Sequence, residues 1–263
     1  MSRKIFIMGA STGIGKALAK RYSNQDTILG LAARRVDLLE NVAASCRKNN
    51  AKTYIFKVDV NDDKNCSNAA SEFISISGGI DIVIANSGVG SNDKLLTGSS
   101  EIINKVLSTN ILGVTNTIIP FLPTMESQKS GTIVVVSSVA SFVPIPIRGG
   151  YSSSKVAVRR LFDSWRPTLK GYGIKTVTIC PGFIDTPMTE RIRTKPFLKD
   201  ADTAAIAFEK AIEKGKNTYI YPWQMRWLVR LVRILPQSLI DWLLYINRKS
   251  ASFLNRKLPD LVC

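Results

Sequence analysis

Short apolar runs alternate with amphipathic helical segments along most of the chain. The pattern predicts about seven strands, in the runs KIFIMG, DTILGLAARR, AKTYIFKVDV, IDIVIANSG, GTIVVVSSVAS, IKTVTICPG and NTYIYP. The run GTIVVV is apolar on both faces, which is typical of a central strand in a parallel sheet. Strands that alternate with helices predict an α/β fold on a doubly wound parallel sheet. We assign residues 1–222 to this one domain.

The composition of the chain limits the partners, catalytic groups and metal sites that it can have. The chain has 263 residues, of which 45% are hydrophobic, and a formal net charge of +16. This charge suits an anionic membrane or nucleic acid, but the aromatic residues near the C-terminus lie among apolar ones, so we expect no nucleic acid partner. The chain has no histidine, which excludes Ser-His-Asp catalysis and histidine metal sites, and we predict no metal. Its four cysteines are far apart and its first apolar run is too short for a signal peptide, so we expect a cytoplasmic protein with reduced thiols.

A glycine-rich turn, GASTGIG, follows the first predicted strand and precedes a helix. Glycines let the backbone approach a phosphate closely, and the helix N-terminus supplies free N–H groups and a partial positive charge. In a doubly wound sheet this predicts a Rossmann fold with a dinucleotide site. We expect contacts from Gly9, Ser11, Thr12, Gly13, Ile14 and Gly15.

The end of the second strand indicates which dinucleotide is bound. Ala33 stands where an acidic residue would bond the ribose 2′-hydroxyl, and Arg34 and Arg35 follow it. Guanidinium groups favour a 2′-phosphate through charge-assisted hydrogen bonds, and the Ser11 hydroxyl is placed to join them. We therefore predict NADP (NADPH) in preference to NAD. The alternative is that both arginines are ordinary solvated charges.

Together these motifs resemble the short-chain dehydrogenase/reductase family over about residues 3–190. GASTGIG resembles the cofactor turn of that family, VDV the segment that contacts adenine, and PGFIDTPM the loop that flanks nicotinamide. ANSG resembles the motif after the fourth strand, although Ala85 and Ser87 replace its usual asparagine and alanine. The resemblance implies further cofactor contacts from Asp59, Val60, Asn86, Gly88, Pro181, Gly182, Ile184 and Thr186.

The same resemblance implies an active site for hydride transfer between nicotinamide and a carbonyl/alcohol pair. Its four catalytic positions are matched by Asn110 in STNILG, Ser138 in VVSSVAS, and Tyr151 and Lys155 in YSSSK. By this resemblance, Lys155 also bonds the nicotinamide ribose, and Asn110 holds a water that links the lysine to solvent.

The tyrosine and lysine have a chemical reason for their spacing. Hydride transfer to a carbonyl leaves an alkoxide that needs a proton, and the chain has no histidine to supply it. An unperturbed tyrosine has a pKa near ~10, and an ammonium one helical turn away lowers that pKa. We expect Tyr151 to be the general acid/base and Ser138, at a strand end, to hold the substrate oxygen. The predicted substrate contacts are Ser138, Tyr151, Phe183 and Met188.

The sequence therefore predicts an NADP-dependent oxidoreductase that acts on a carbonyl or alcohol. The alternative is a non-catalytic NADP-binding sensor or interaction protein.

Residues 187–215 are predicted to form a substrate loop over the cleft. Pro167 interrupts the helix after Tyr151, and we expect a kink or an early end near Arg166. Because this helix often forms the dimer interface in the family, we expect a homo-oligomer, either a dimer or a tetramer.

Residues 223–263 are predicted to form a basic, amphipathic, helical extension and not a second domain. Three arginines recur at helical spacing and share one face: Arg226, Arg230 and Arg233. The apolar positions are Trp227, Leu228, Leu231, Ile234 and Leu235. Pro236 breaks the pattern, and Ser238 is a candidate cap for a second helix, LIDWLLYIN.

The charges in this extension argue against a membrane span. A spanning helix needs about 20 mainly apolar residues, and each arginine at the bilayer centre costs at least ~2.5 kcal/mol. We predict instead peripheral contact of residues 223–249 with the cytoplasmic face of a membrane. The alternatives are that these helices fold back over the substrate cleft or pack in an oligomer. Each arrangement places apolar surface near the active site and favours a lipophilic substrate.

Overall fold

The apolar strand runs form one parallel sheet in the computed structural model, which describes residues 2–236, 238–240 and 242. The strands are β1 (Arg3–Met8), β2 (Thr27–Ala33), β3 (Lys52–Lys57), β4 (Ile82–Ala85), β5 (Gly131–Val136), β6 (Ile174–Pro181) and β7 (Thr218–Tyr221). Their order across the sheet is β3-β2-β1-β4-β5-β6-β7, and all neighbours are parallel. The predicted seven-stranded, doubly wound Rossmann sheet is confirmed.

Helices connect the strands. They are α1 (Gly13–Tyr22), α2 (Val36–Lys48), α3 (Asp63–Ser77), α4 (Glu101–Leu107), α5 (Gly113–Ile118), α6 (Leu122–Gln128), α7 (Gly149–Gly171), α8 (Ala201–Glu213) and α9 (Trp223–Ile234). A π-helical turn (Ser108–Leu112) and a 3-10 turn (Ile119–Phe121) join α4, α5 and α6 end to end, and shorter 3-10 turns lie at Leu95–Thr97 and Val139–Ser141. The carboxylates of Asp62 and Asp200 accept main-chain N–H groups and so mark where α3 and α8 begin.

Each face of the sheet is covered by its own apolar layer. On one face, Leu18 of α1 and Phe208 of α8 are buried against the strands. On the other face, α3 and α7 bury Phe73 and Phe162 beside Phe6 of β1. Fully burying such a side chain contributes roughly 1.5–3 kcal/mol, so these two layers, more than helix propensity, hold the elements in place. The carboxyl ends of all seven strands then meet at one edge.

The predicted substrate loop of residues 187–215 is shorter than expected, because its second half is helix α8. This helix packs on α1, and two ion pairs join it to the domain. Arg21 bonds Glu209 at 2.6 Å, and Arg3 bonds Glu213 at 2.7 Å. Phe208 and other apolar side chains of α8 face the core of the domain, whereas Phe197 and Leu198, just before the helix, are exposed.

Of the two effects expected of Pro167, the early end near Arg166 is wrong, since α7 continues to Gly171. The kink stays a prediction. Tertiary contacts on both sides of the proline hold the helix. Arg166 donates to the Thr176 hydroxyl at 3.1 Å and to the carbonyl oxygen of Asn217. Beyond the proline, Leu169 is buried against the sheet. These contacts offset the hydrogen bond that proline cannot donate.

The segment Glu101–Gln128, which contains α4, α5 and α6, is long and apolar enough by composition to cross a membrane. Several of its large apolar side chains pack inside the domain. Ile118, Phe121 and Met125 are fully buried against the sheet. We therefore assign this segment to the core.

The C-terminal extension begins directly after the edge strand β7. Helix α9 starts at Trp223 and ends at Ile234, just before Pro236, in agreement with the predicted break. Most of the second predicted helix, LIDWLLYIN, and residues 243–263 lie outside the described residues.

Candidate active site

The glycine turn between β1 and α1 has a backbone that side chains would disturb. Gly9 and Gly13 have φ angles of 81° and 56°, a region that other residues rarely adopt. A Cβ on Gly15 would overlap the carbonyl oxygen of Gly9. Glycine therefore keeps the turn tight against the N-terminus of α1, where free N–H groups attract an anion. These residues fit the pyrophosphate of a dinucleotide.

Asn86 supports this turn from the neighbouring strand. Its Nδ2 donates to the carbonyl oxygen of Gly9 at 2.9 Å, and its main-chain N–H donates to the carbonyl oxygen of Met8 at 3.1 Å. These bonds tie the end of β4 to the end of β1. Asn86 therefore stabilises the position of the glycine turn, and its direct contact with a cofactor stays a prediction.

The arginines after β2 have different partners. Arg35 directs its Nη2 to the hydroxyl oxygens of Ser11 and Thr12, at 3.4 and 3.3 Å. Arg34 forms a long, exposed ion pair of 3.9 Å with Asp59. One guanidinium and two hydroxyl groups thus converge beside the glycine turn, where a ribose phosphate of the predicted dinucleotide would lie. Val60, which follows Asp59, is buried.

The loop after β6 reaches the glycine turn. Gly182, which follows Pro181, donates its N–H to the carbonyl oxygen of Tyr221 at 2.7 Å. Ile184 is buried, and the Thr186 methyl carbon lies 2.9 Å from the point where Gly13 would carry a Cβ. The structure therefore brings this loop and the glycine turn to the same edge of the sheet, and contact of the loop with nicotinamide stays a prediction.

Ser138 and Tyr151 meet beyond the end of β5. The Ser138 hydroxyl lies close enough to the Tyr151 hydroxyl to lower the pKa of the tyrosine by hydrogen bonding. The Ser138 hydroxyl oxygen also accepts the Ala140 N–H at 3.1 Å, which fixes its side chain at the start of a 3-10 turn. Two neighbouring hydroxyl groups at the carboxyl edge of a parallel sheet, one on a buried and one on a half-buried residue, can hold one oxygen atom of a ligand.

Lys155 lies one turn beyond Tyr151, and its Nζ is 5.8 Å from the tyrosine ring centre. The lysine is buried, and its Nζ donates to the carbonyl oxygen of Val136 at 2.9 Å. The Ser137 hydroxyl donates to the carbonyl oxygen of Lys155, also at 2.9 Å. Two hydrogen bonds therefore fasten this turn of α7 to the end of β5.

The predicted lowering of the tyrosine pKa is wrong for this structure. Burial raises the pKa of Tyr151, and the hydrogen bond with Ser138 and the positive charge of Arg148 offset only part of this effect. Burial also lowers the pKa of Lys155, to about 8. The sequence shows the spacing of the two groups but not their depth, and depth decides both directions.

Asn110 is fully buried inside the π-helical turn, a distortion that is frequent at functional sites. Its Nδ2 donates to the Val89 carbonyl oxygen and the Ser154 hydroxyl, both at 2.9 Å, and its Oδ1 accepts the Val89 N–H at 2.8 Å. A Cβ on Gly88 would lie 3.2 Å from this Oδ1 and 3.3 Å from the Lys155 Nζ. Asn110 and Gly88 are therefore neighbours of the lysine, and the predicted water relay stays a prediction.

Sequence reasoning missed Asp93, which holds the first turn of α7. Its carboxylate accepts the N–H groups of Gly149 and Gly150. Its own N–H donates to the carbonyl oxygen of Ile147 at 2.8 Å. A buried carboxylate at a helix N-terminus is favourable because it meets free N–H groups and the positive end of the helix dipole. No local sequence signal marks it, since Asp93 and Gly149 are 56 residues apart.

The predicted substrate residues are at different distances from the tyrosine. Gly90 lies between Tyr151 and Met188. A Cβ added to this glycine would lie 3.6 Å from the tyrosine ring and 4.0 Å from the methionine sulfur. Met188 is exposed and therefore free to meet a ligand. Phe183 is half-buried, and its carbonyl oxygen accepts the Lys199 N–H. Met188 is thus placed beside the tyrosine, and a role for Phe183 stays a prediction.

The described residues contain no group of three or more histidine, cysteine, aspartate or glutamate side chains able to hold a metal ion. Cys46, Cys66 and Cys180 are buried free thiols. Within the described site, hydroxyl and amine groups are therefore the candidates for proton transfer.

Comparison with known protein families agrees with this geometry. The family described as short chain dehydrogenase matches residues 3–196, most of the chain. The chain belongs to the short chain dehydrogenase family. This short chain dehydrogenase is accordingly an oxidoreductase of the type that uses NAD or NADP. The resemblance drawn from its motifs is confirmed.

Relatives of this dehydrogenase match along most of their length. An uncharacterized oxidoreductase of Mycobacterium tuberculosis is 32% identical over 242 residues, which cover 90% of this chain and 95% of the relative. A 2-(R)-hydroxypropyl-CoM dehydrogenase of Xanthobacter autotrophicus is 33% identical over 210 residues, covering 78% and 84%. The X-ray structure of an alcohol dehydrogenase from Thermococcus sibiricus, complexed with 5-hydroxy-NADP, is 27% identical with a TM-score of 0.73, covering 84% and 95%.

The Asp93 contact predicts a coupled loss of stability and turnover. Replacing Asp93→Ala removes the partner of the buried Gly150 N–H and of the less buried Gly149 N–H, so we expect the free energy of unfolding to fall by about 1–2 kcal/mol. Because these groups directly precede Tyr151, kcat is expected to fall as well. Denaturant unfolding and steady-state kinetics measure the two effects.

Asp62→Ala is the matched control, since Asp62 caps α3 through the Asn65 N–H at 2.9 Å. It is expected to cost similar stability with unchanged kcat. Equal kcat in both variants would show that Asp93 has no role in positioning the tyrosine.

Proposed function

We propose that this dehydrogenase uses NADP and reduces a lipophilic carbonyl compound, or oxidises the alcohol, with Tyr151 as general acid/base. The observation that carries the proposal is the approach of the Ser138 hydroxyl to the Tyr151 hydroxyl, with a buried Lys155 5.8 Å from the tyrosine ring centre. The three side chains lie at the carboxyl edge of the sheet, which they share with the glycine turn. A nucleotide and a substrate oxygen can therefore meet there.

NADPH held by the glycine turn and Arg35 would supply the hydride that reduces the carbonyl carbon. The Ser138 hydroxyl holds the carbonyl oxygen, and the Tyr151 hydroxyl gives that oxygen its proton as the C–O double bond becomes single. Because burial raises the pKa of Tyr151, the phenol keeps its proton at neutral pH and is ready to act as an acid. Charged Lys155 stabilises the phenolate that remains after the transfer.

The preference for NADP rests on Arg35. Its guanidinium is directed to the Ser11 and Thr12 hydroxyl oxygens. No carboxylate of residues 2–236 forms an ion pair with it, whereas Arg34 is beside Asp59. A 2′-phosphate at this point would receive charge-assisted hydrogen bonds from the guanidinium. The complex of the Thermococcus sibiricus relative with 5-hydroxy-NADP is consistent with this choice.

A lipophilic substrate is supported by apolar side chains around the loop after β6. Met188, Phe197 and Leu198 are exposed, and the methionine lies near the tyrosine ring. The non-catalytic alternative is weaker, because a sensor would not need Ser138, Tyr151 and Lys155 together. A cytoplasmic location and a homo-oligomer stay predictions.

Tyr151→Phe tests the acid directly. The variant keeps the ring but loses the proton, so we expect kcat for carbonyl reduction to fall by ~10²–10⁴-fold. NADPH binding, followed by fluorescence titration, is expected to stay within about twofold, since an isosteric ring preserves the packing. Tyr172→Phe, at the exposed end of α7, is the control and should leave kcat unchanged. Parent-level turnover in Tyr151→Phe contradicts the proposed mechanism.

Arg35→Ala tests the coenzyme preference. A hydrogen bond to a charged group contributes about 1.5–3 kcal/mol, so the Kd of NADPH should rise by ~10–150-fold while that of NADH changes little. Titration of both nucleotides into each protein measures this. Arg47→Ala, which removes an exposed arginine of α2, should change neither value. Equal weakening of NADPH and NADH by Arg35→Ala would remove the support for NADP.

The pH dependence of reduction follows from the lysine. The pKa of Lys155 is about 8, so its charge is present below that pH and is lost as pH rises through it. We expect kcat/KM for carbonyl reduction, which reports groups of the free enzyme, to decline above about pH 8. Circular dichroism at each pH controls for unfolding. A flat profile across this range contradicts a role for the lysine charge.

A further inference from the structure

Helix α9 carries an apolar stripe on its solvent face. Trp223, Trp227, Leu231 and Ile234 are 62%, 60%, 54% and 78% exposed. Residues three or four apart share one face of a helix, so these four side chains form a continuous row. Leu228 is also exposed and widens the row. We call this set of five residues the α9 stripe. A soluble protein rarely presents an aromatic and aliphatic row of this kind without a partner.

The opposite face of α9 packs against the domain. Met225 and Val229 are only 2% and 3% exposed. A Cβ on Gly182 would lie 2.8 Å from the Met225 side chain, so the helix rests on the loop after β6. The α9 stripe therefore faces away from the domain and does not cover the substrate cleft.

Arginines border the stripe. Arg226, Arg230 and Arg233 follow one another at intervals of four and three residues, and no aspartate or glutamate occurs in α9. The guanidinium of Arg230 lies 4.9 Å from the Trp227 ring centre, directly beside the apolar row. This border carries only positive charge, so its partner is expected to be negative.

We propose that the α9 stripe docks this protein on an anionic phospholipid surface, with the helix lying in the plane of the membrane. Tryptophan and leucine enter the boundary between headgroups and acyl chains, and the arginine border meets the anionic headgroups. The whole chain, at +16, adds long-range attraction to such a surface. With 12 residues, α9 is too short to span the bilayer.

Charge also argues against a second copy as the occupant. A symmetric contact of α9 with α9 would bring the arginine borders of both copies together. Since α9 has no acidic residue to pair with them, repulsion would oppose the contact. A lipid surface supplies the missing negative charge. The inference depends on α9 alone and goes beyond the proposed reaction.

The test is binding of the full chain to vesicles. Protein is mixed with phosphatidylcholine vesicles that contain either no phosphatidylserine or ~30% of it, at about 0.1 M salt, and bound protein is measured by sedimentation. Three of the four tryptophans, Trp223, Trp227 and Trp242, lie in the extension, so a blue shift of tryptophan emission reports the same event. We expect binding to the anionic vesicles that weakens at about 0.5 M salt.

Two variants separate the apolar and charged contributions. Trp227→Ser with Leu231→Ser removes the centre of the α9 stripe, and Arg226→Gln, Arg230→Gln and Arg233→Gln remove its border. Each is expected to lower partitioning by at least about tenfold. Ile76→Ser, on the exposed face of α3, controls for the first, and Arg47→Gln, Lys48→Gln and Lys52→Gln control for loss of three charges. These controls should keep most of the binding.

Three results would overturn the proposal. The first is equal binding to neutral and anionic vesicles. The second is an equal loss of vesicle binding in the α9 variants and the control variants. The third is a change from dimer to monomer in the α9 variants without any change in vesicle binding. The last would assign the stripe to contact between copies. Because the assay needs no turnover, its failure is distinct from failure of the proposed reaction.

Discussion

The ammonium group of Lys155 donates to the carbonyl oxygen of Val136, the last residue of β5, at 2.9 Å. Most features of the site depend on this contact between α7 and the central sheet. Ser138 follows the strand by two residues and Tyr151 precedes the lysine by one turn, so the contact helps to fix the distance between their hydroxyl groups. It also holds an amine in a buried place, which lowers its pKa to about 8. The position of the Ser138 and Tyr151 hydroxyl groups and the titration of the lysine thus have one physical origin.

The surrounding elements hold the same geometry from other directions. Asp93 anchors the first turn of α7, while Phe162 and Leu169 bury its later turns against the sheet. The π-helical turn presents Asn110 to Gly88 and the lysine. The parallel order of the strands places all of these groups at the edge that also carries the glycine turn. Stability and function therefore share contacts here, and a change that loosens α7 is expected to affect both.

Local patterns predicted the sheet and the motif positions because each depends on neighbouring residues. The apolar strand runs, the glycines before α1 and the four-residue spacing of Tyr151 and Lys155 are of this kind. Features that depend on distant contacts were missed or reversed. Asp93 meets a helix 56 residues away, and the pKa of Tyr151 follows from burial. In the same way, Pro167 remains inside α7 because Arg166 bonds the strand behind it.

The most direct test of the account is a crystal structure of the protein with NADP and an alcohol product bound together. The account predicts that the product oxygen lies within hydrogen-bonding distance, about 2.6–3.2 Å, of both the Ser138 and Tyr151 hydroxyl groups. Lys155 should remain at the end of β5, and Arg35 should lie against the 2′-phosphate. A product oxygen bonded to other groups, with the tyrosine hydroxyl turned away from it, would contradict the account.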